Sequence, residues 1–232
     1  MRTVGSDEED SLTSEPALPA PSARVGGVAG SLPTCSDQGG PRRAFLAAAV
    51  RRPGQIGAVA PSSPRLAGLL ASVVPSHGTP TVVELGPGTG SVSAAIAGRL
   101  PDGSRHLAVE LDPQLAAYLR RTRPDLEVVD GDAKELTSLL GARAASRVDA
   151  VVSGLPWSLF GRESQQAILG QVGEAIGGEG AFATFAYTHT LPISSARRFR
   201  RLLHDSFDEV VISRTVWRNL PPAYVYICRR PR

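Results

Sequence analysis

Val82-Val83-Glu84-Leu85-Gly86-Pro87-Gly88-Thr89-Gly90 decides the reading of this chain, together with Glu110, twenty residues beyond the last glycine. A short apolar run leads into a turn with glycine at three alternate positions. Glycine bends the chain sharply and lets a ligand approach the backbone with no Cβ in the way. The pattern predicts a strand, a turn and a helix that Ser91 caps. A second strand, His106-Leu107-Ala108-Val109-Glu110, ends on a carboxylate where α/β folds hold the ribose hydroxyls of a nucleoside.

The glycine spacing discriminates between ligands. Dinucleotide folds show Gly-x-Gly-x-x-Gly, with a pyrophosphate on the helix N-terminus. Here the glycines alternate, and Glu84 stands two residues before Gly86. An acid there repels a pyrophosphate and suits a cationic ligand. S-adenosylmethionine carries a ribose, a sulfonium and an amino group and no phosphate. Leu126-Glu127-Val128-Val129-Asp130-Gly131-Asp132-Ala133 reads as a third strand ending in an acid for the adenine amino group. Asp149-Ala150-Val151-Val152-Ser153 reads as a fourth strand opening into Gly154-Leu155-Pro156-Trp157.

In this order the segments resemble the class I S-adenosylmethionine-dependent methyltransferases over roughly residues 80–160. The resemblance implies S-adenosylmethionine as cofactor, held by Gly86, Gly88, Gly90, Glu110, Asp132 and Ala133. Glu84 reads either as a contact to the methionine amine or as a solvated acid at the strand end. Asp112, ahead of Pro113, reads as a helix N-cap, and Asp130 as structural.

The rest of the chain fits one α/β domain with extensions. Of 232 residues, 42% are hydrophobic and 20% charged. No apolar run reaches the length of a bilayer span, and no secretory leader opens the chain. Cys35 and Cys228 form no metal-type spacing, so neither a metal site nor a disulfide is expected. Residues 1–40 are acidic and rich in Gly, Pro and Ser, which predicts a disordered tail of net charge −4 and leaves +7 on the remainder. Lys134 is the only lysine, so the positive charge is arginine. That residue suits phosphate recognition, although a G+C-rich genome also favours its codons.

From 41 to 77 the expectation is an amphipathic helix, with Phe45, Leu46, Ala49 and Val50 on one face, then a helix through Leu66, Leu69, Leu70 and Val73. Residues 78–232 form the single Rossmann-like domain, a seven-stranded and mostly parallel sheet. Helices are expected over 91–99, 113–122, 133–140, 162–176 and 194–206. Strands are expected over Ala181–Tyr187, Glu209–Trp217 and Ala223–Arg229. The short joint Arg218–Pro222 makes the last two a terminal antiparallel hairpin.

Ser153-Gly154-Leu155-Pro156-Trp157 resembles the post-strand-four loop of amine-directed methyltransferases, which implies Ser153, Gly154 and Leu155 at the target nitrogen with Trp157 covering it. Tyr187 and His189 follow strand five, His189 being either a general base or merely exposed. The run Ile56–Pro64, the segment Phe182–Tyr187 with Arg197-Arg198-Phe199-Arg200-Arg201, and the ending Val216–Tyr226 resemble bacterial phospholipid N-methyltransferases. That resemblance implies methylation of phosphatidylethanolamine by an enzyme resting on an anionic membrane surface, in the cytoplasm and on the inner face. The basic helix serves either that surface or the domain core. Two other acceptors stay open. One is an rRNA adenine, against which stands Gly154 in place of the RNA enzymes' asparagine; no nucleic-acid partner is therefore expected. The other is an ornithine lipid or a small specialised metabolite.

Overall fold

The structure is a computed structural model that describes residues 62–145 and 147–232. The tail over 1–40 and the amphipathic helix around Phe45 fall outside the described residues. Seven strands form one sheet: β1 (Thr81–Leu85), β2 (Arg105–Glu110), β3 (Glu127–Asp130), β4 (Ala150–Ser153), β5 (Ala181–Tyr187), β6 (Phe207–Ile212) and β7 (Ala223–Pro231). Their order is β3-β2-β1-β4-β5-β7-β6. The first five strands run parallel, and β7 is antiparallel to both β5 and β6. The expected α/β architecture and its terminal hairpin are therefore present.

Six α-helices among the described residues cover the sheet: α1 (Pro64–Leu70), α2 (Ser91–Ala97), α3 (Pro113–Thr122), α4 (Leu136–Gly141), α5 (Arg162–Ile176) and α6 (Ser194–Ser206). The pleat sorts the two faces. Val83, Leu85, Leu107, Val109 and Val151 point to a core completed by α4, α5 and α6. Val82, Ala150, Val152, Ala183, Phe185 and Val225 point to the other, against α1 and α2. Parallel strands covered on both faces read as continuous apolar runs, and these do. Each fully buried Leu or Ile contributes about 1.5–3 kcal/mol through the surface withdrawn from water.

Local chemistry sets the element ends. The Asp112 side chain accepts from the N–H groups of Gln114 and Leu115, so it caps α3 as expected. Arg120 and Arg121 occupy the last turn of α3, where the helix dipole favours cations. Ser91 is not the cap of α2. Gly90 takes that position at φ 85°, with no side-chain bond, because the chain arrives in a left-handed turn that leaves Ser91 inside the helix. The helix expected over 133–140 divides into a 3-10 turn, Ala133–Glu135, and α4. Strand β6 begins earlier and ends earlier than predicted. The backbone turns away after Ile212 and returns only as an isolated bridge from Val216 to Ala223. The hairpin connection thus runs from 213 to 222.

Candidate active site

The carboxyl ends of β1, β2, β3, β4 and β5 lie along one edge of the sheet, where open α/β folds bind their ligands. At this edge the three glycines of the first loop have φ of 68°, 58° and 85° at Gly86, Gly88 and Gly90. Side chains rarely adopt such values. A Cβ on Gly86 would lie 2.8 Å from Leu155 Cδ2. The loop is a cradle that only glycine can build.

Glu110 closes one side of the cradle. Its Oε2 accepts the Gly88 N–H at 3.2 Å, and its Oε1 accepts the Asp112 N–H at 2.9 Å. Each carboxylate oxygen has a second lone pair, enough for two ribose hydroxyls. Burial raises the Glu110 carboxyl above its ordinary value, the two backbone N–H groups pull it down, and neighbouring Asp112 pushes it up again. One strand over, the Gly131 N–H donates to the Glu110 carbonyl and places Asp132 directly beyond. Asp132 is half-buried, and its Oδ1 accepts the Lys134 N–H at 3.0 Å; Ala133 is buried. Glu110, the glycine loop, Asp132 and Ala133 are thus brought to one edge. Asp130 is exposed and paired with Arg120 at 2.6 Å, a structural contact as expected.

Glu84 is the main departure. It is not solvated: it is 1% exposed, with Oε2 3.1 Å from His106 Nε2. The sequence reading gave His106 no role. A strand-end acid looks solvent-accessible in a sequence, but here the helix-covered face of the parallel sheet encloses both side chains.

The loop after β4 also departs from expectation. Ser153 is fully buried, and its hydroxyl accepts from the Trp157 indole N–H at 3.1 Å and from the Leu155 N–H at 3.3 Å. Trp157 does not cover an open site. It is 2% exposed and stacks on Phe199 at 4.2 Å, with Phe160 and Phe182 edge-on. A 3-10 turn over Trp157–Leu159 folds the indole inward, and its single polar atom is satisfied by Ser153. Buried Gln165 braces the turn, donating to the Trp157 carbonyl at 2.8 Å and accepting from Arg198 at 3.2 Å. What the loop leaves at the edge is half-buried Gly154, Leu155 and Pro156.

Gly154 has a steric cause of its own. A Cβ there would lie 2.6 Å from the Gly86 carbonyl oxygen, a backbone atom that no rotamer change can move. Its N–H donates to the Leu85 carbonyl at 2.8 Å, so the β4 loop and the glycine cradle are in direct contact. No hydrogen bond among the described residues takes the Gly154 carbonyl oxygen.

Tyr187 and His189 stand beyond β5, ring on ring at 5.5 Å. Tyr187 is half-buried, and burial pushes its phenol up to about 12, so it is a neutral hydrogen-bonding group near neutral pH. His189 is exposed and has no hydrogen-bonding partner among the described residues, so nothing fixes its tautomer as a general base requires. Asn219, ahead of the Pro221-Pro222 turn, is buried. Its Oδ1 accepts the Ser63 N–H at 2.9 Å and its Nδ2 donates to the Pro221 carbonyl at 2.7 Å, so it fixes the hairpin.

The chain is 37% identical over 177 residues to an ornithine lipid N-methyltransferase of Singulisphaera acidiphila, spanning 75% of this chain and 88% of that enzyme. It belongs to the class I S-adenosylmethionine-dependent methyltransferases, in the family of that enzyme. The cofactor is accordingly S-adenosylmethionine, and the protein is a methyltransferase. A ribosomal RNA small subunit methyltransferase A of Leptothrix cholodnii is 37% identical over only 78 residues, 34% of this chain and 28% of that enzyme.

Among solved structures, an O-methyltransferase from Bacillus cereus in complex with SAH superposes with a TM-score of 0.61 at 14% identity, covering 84% of this chain and 94% of that one. A Thermotoga maritima O-methyltransferase superposes at 0.57 and 14% identity, covering 79% and 72%. These two likenesses show the fold alone. No family model matches the chain.

The residues present fit the cofactor: the glycine cradle excludes any Cβ, and the Glu110 carboxylate keeps unused acceptor capacity beside it.

Proposed function

We propose that this methyltransferase N-methylates the amine of a lipid head group, an ornithine lipid or phosphatidylethanolamine, at a membrane surface. The observation that carries the reading is the likeness to the ornithine lipid enzyme across 88% of its length. The loop after β4 supports it. Gly154 brings no side chain to the edge, so the loop offers no amide to read the edge of a base.

When bound, the cofactor supplies an electrophilic methyl on a sulfonium, so neither covalent catalysis nor a strong general base is needed. The chain's residues position, hold and exclude water. Glu110 accepts the ribose hydroxyls, Asp132 the adenine amino group, and Gly86, Gly88 and Gly90 let the backbone close on the ligand. The Gly154 carbonyl accepts a hydrogen bond from the target amine and turns its lone pair toward the methyl. Trp157 and Ser153 hold that carbonyl in place from behind. Tyr187, neutral and half-buried, borders the amine with a phenol oxygen that no described residue occupies. The amine must arrive unprotonated; methylation leaves an ammonium whose excess proton passes to water, with exposed His189 as our candidate relay.

The test is transfer of radiolabelled methyl from S-adenosylmethionine to vesicles containing ornithine lipid, phosphatidylethanolamine or neither, with 16S rRNA in a parallel reaction. Label in one of the aminolipids is expected and identifies the acceptor. Label in RNA alone, or in no lipid from protein that binds the cofactor, overturns the reading.

A further inference from the structure

We propose that the loops beyond β4, β5 and β6 form a membrane-docking rim whose apolar side chains enter an anionic lipid interface and seat the active-site edge on the bilayer. The inference deepens the lipid-directed reading and rests on it for the class of occupant. The surface itself rests on separate observations.

Five large apolar side chains stand out from these loops. Trp217 is 74% exposed, Leu220 78%, Leu159 52%, Leu191 44% and Ile193 43%. Leaving them in water forgoes burial that the core gives their counterparts. Hydrogen bonds tie their loops together. The Ser195 hydroxyl donates to the Ser158 carbonyl, joining the turn that carries Leu159 to the one that carries Leu191 and Ile193. The Thr188 N–H and hydroxyl both donate to the Pro222 carbonyl, joining that turn to the loop that carries Trp217 and Leu220. The five residues therefore belong to one linked set of loops, on the same sheet edge as the glycine cradle.

Charge identifies the occupant. Residues 154–163, 188–201 and 213–222 hold seven arginines and one acid, Glu163. Arg162, Arg197, Arg214 and Arg218 are exposed, and none forms an ion pair with another described residue. A protein interface draws its charges out of the apolar centre; here Arg214, Trp217, Arg218 and Leu220 alternate along one loop. Apolar groups that enter the acyl boundary among arginines that meet lipid phosphate form the pattern of a bilayer interface. Tryptophan is the residue enriched at that depth. Single-stranded RNA favours arginines too, but it binds through stacked aromatics, and four of the five protruding groups are aliphatic.

The chain carries its own reporter. Trp157 is 2% exposed and Trp217 74%, so a change in emission on docking comes from Trp217. Full-length protein is mixed with vesicles of equimolar phosphatidylglycerol and phosphatidylcholine, some with brominated acyl chains, without cofactor or turnover. The expected result is a blue shift, quenching by the brominated chains and protection from iodide, all lost in Trp217→Phe. In Trp217→Ser/Leu220→Ser the vesicle-bound fraction falls at least tenfold while affinity for S-adenosylmethionine is unchanged, which shows that the fold is intact.

Vesicle binding undiminished in that variant overturns the rim. So does Trp217 shielded from iodide before vesicles are added, or emission that shifts with single-stranded RNA and not with vesicles. Since no methyl transfer is read, a failed rim and a failed lipid substrate give different results: docking without lipid label sinks the acceptor, and label without Trp217 response sinks the rim.

Discussion

Glu110 concentrates the cofactor chemistry in one side chain. Its carboxylate already joins the glycine cradle to the Asp112 turn, so ribose hydroxyls meet a preorganised acceptor. Hydrogen bonds to a charged group contribute about 1.5–3 kcal/mol, so Glu110→Ala should weaken S-adenosylmethionine binding roughly tenfold to a hundredfold by calorimetry. Unchanged affinity would remove Glu110 from the site.

The pH dependence has a definite sign. The carboxyl is raised above its value of 4.5 by burial, so in the window above 4.5 the unliganded fold holds a proton that the unfolded chain has released. Stability from this group is therefore lost as pH rises through the window. Hydroxyl donors favour the ionised carboxylate, so binding expels the proton and affinity should fall as pH drops toward 4.5. Glu110→Gln should bind weakly with a flatter profile; an equally steep one would place the titration elsewhere. Gly154→Ala should lower both melting temperature and cofactor affinity, because its Cβ would strike the Gly86 carbonyl at 2.6 Å. Gly68→Ala, in open space within α1, should raise stability by about 0.5–1 kcal/mol.

At the scale of elements, two buried polar contacts hold the edge. Glu84 on β1 and His106 on β2 meet inside the helix-covered face. Leaving a buried hydrogen-bonding group without its partner costs about 1–3 kcal/mol, so His106→Ala should lower stability on that scale in denaturant unfolding. A loss under 1 kcal/mol would show that Glu84 finds solvent or another partner. On the opposite face, Trp157 fixes the turn after β4 through Ser153, Phe199 and Gln165. Trp157→Phe keeps most of the packing but removes one of the two donors to the Ser153 hydroxyl, a loss of about 0.5–1.5 kcal/mol. Its kinetic signature should be a lower kcat with KM for the methyl donor unchanged, since the turn carries the Gly154 carbonyl.

At the scale of the whole molecule, the sheet order puts glycine cradle, acids, β4 loop and docking rim along one edge. The rim's charge makes activity on vesicles salt-dependent. With a Debye length of about 8 Å at physiological ionic strength, added salt should raise the apparent KM for anionic vesicles and leave S-adenosylmethionine affinity alone. Salt-independence would mean that the exposed arginines do not meet the lipid. Among the described residues no helix is long and apolar enough to cross a membrane.

The sequence alone determined the architecture, the order of the cofactor segments, the Asp112 cap and the hairpin, because these depend on local signals: apolar period, glycine spacing, a carboxylate before Pro113. Ser153 and Trp157 were misread for one shared reason, and the solvated reading of Glu84 fails for the same one. A residue next to a loop looks accessible along the chain, and only the second layer of the fold shows that a helix covers it. Gly154 looked like a missing asparagine until β1 and β4 were side by side, where the Gly86 carbonyl occupies the space a side chain would need. The rim, too, was decided by tertiary structure. Leu159, Leu191 and Trp217 are separated by dozens of residues in sequence and resemble core residues there. Hydrogen bonds between their loops bring them to one edge, and no element among the described residues covers them.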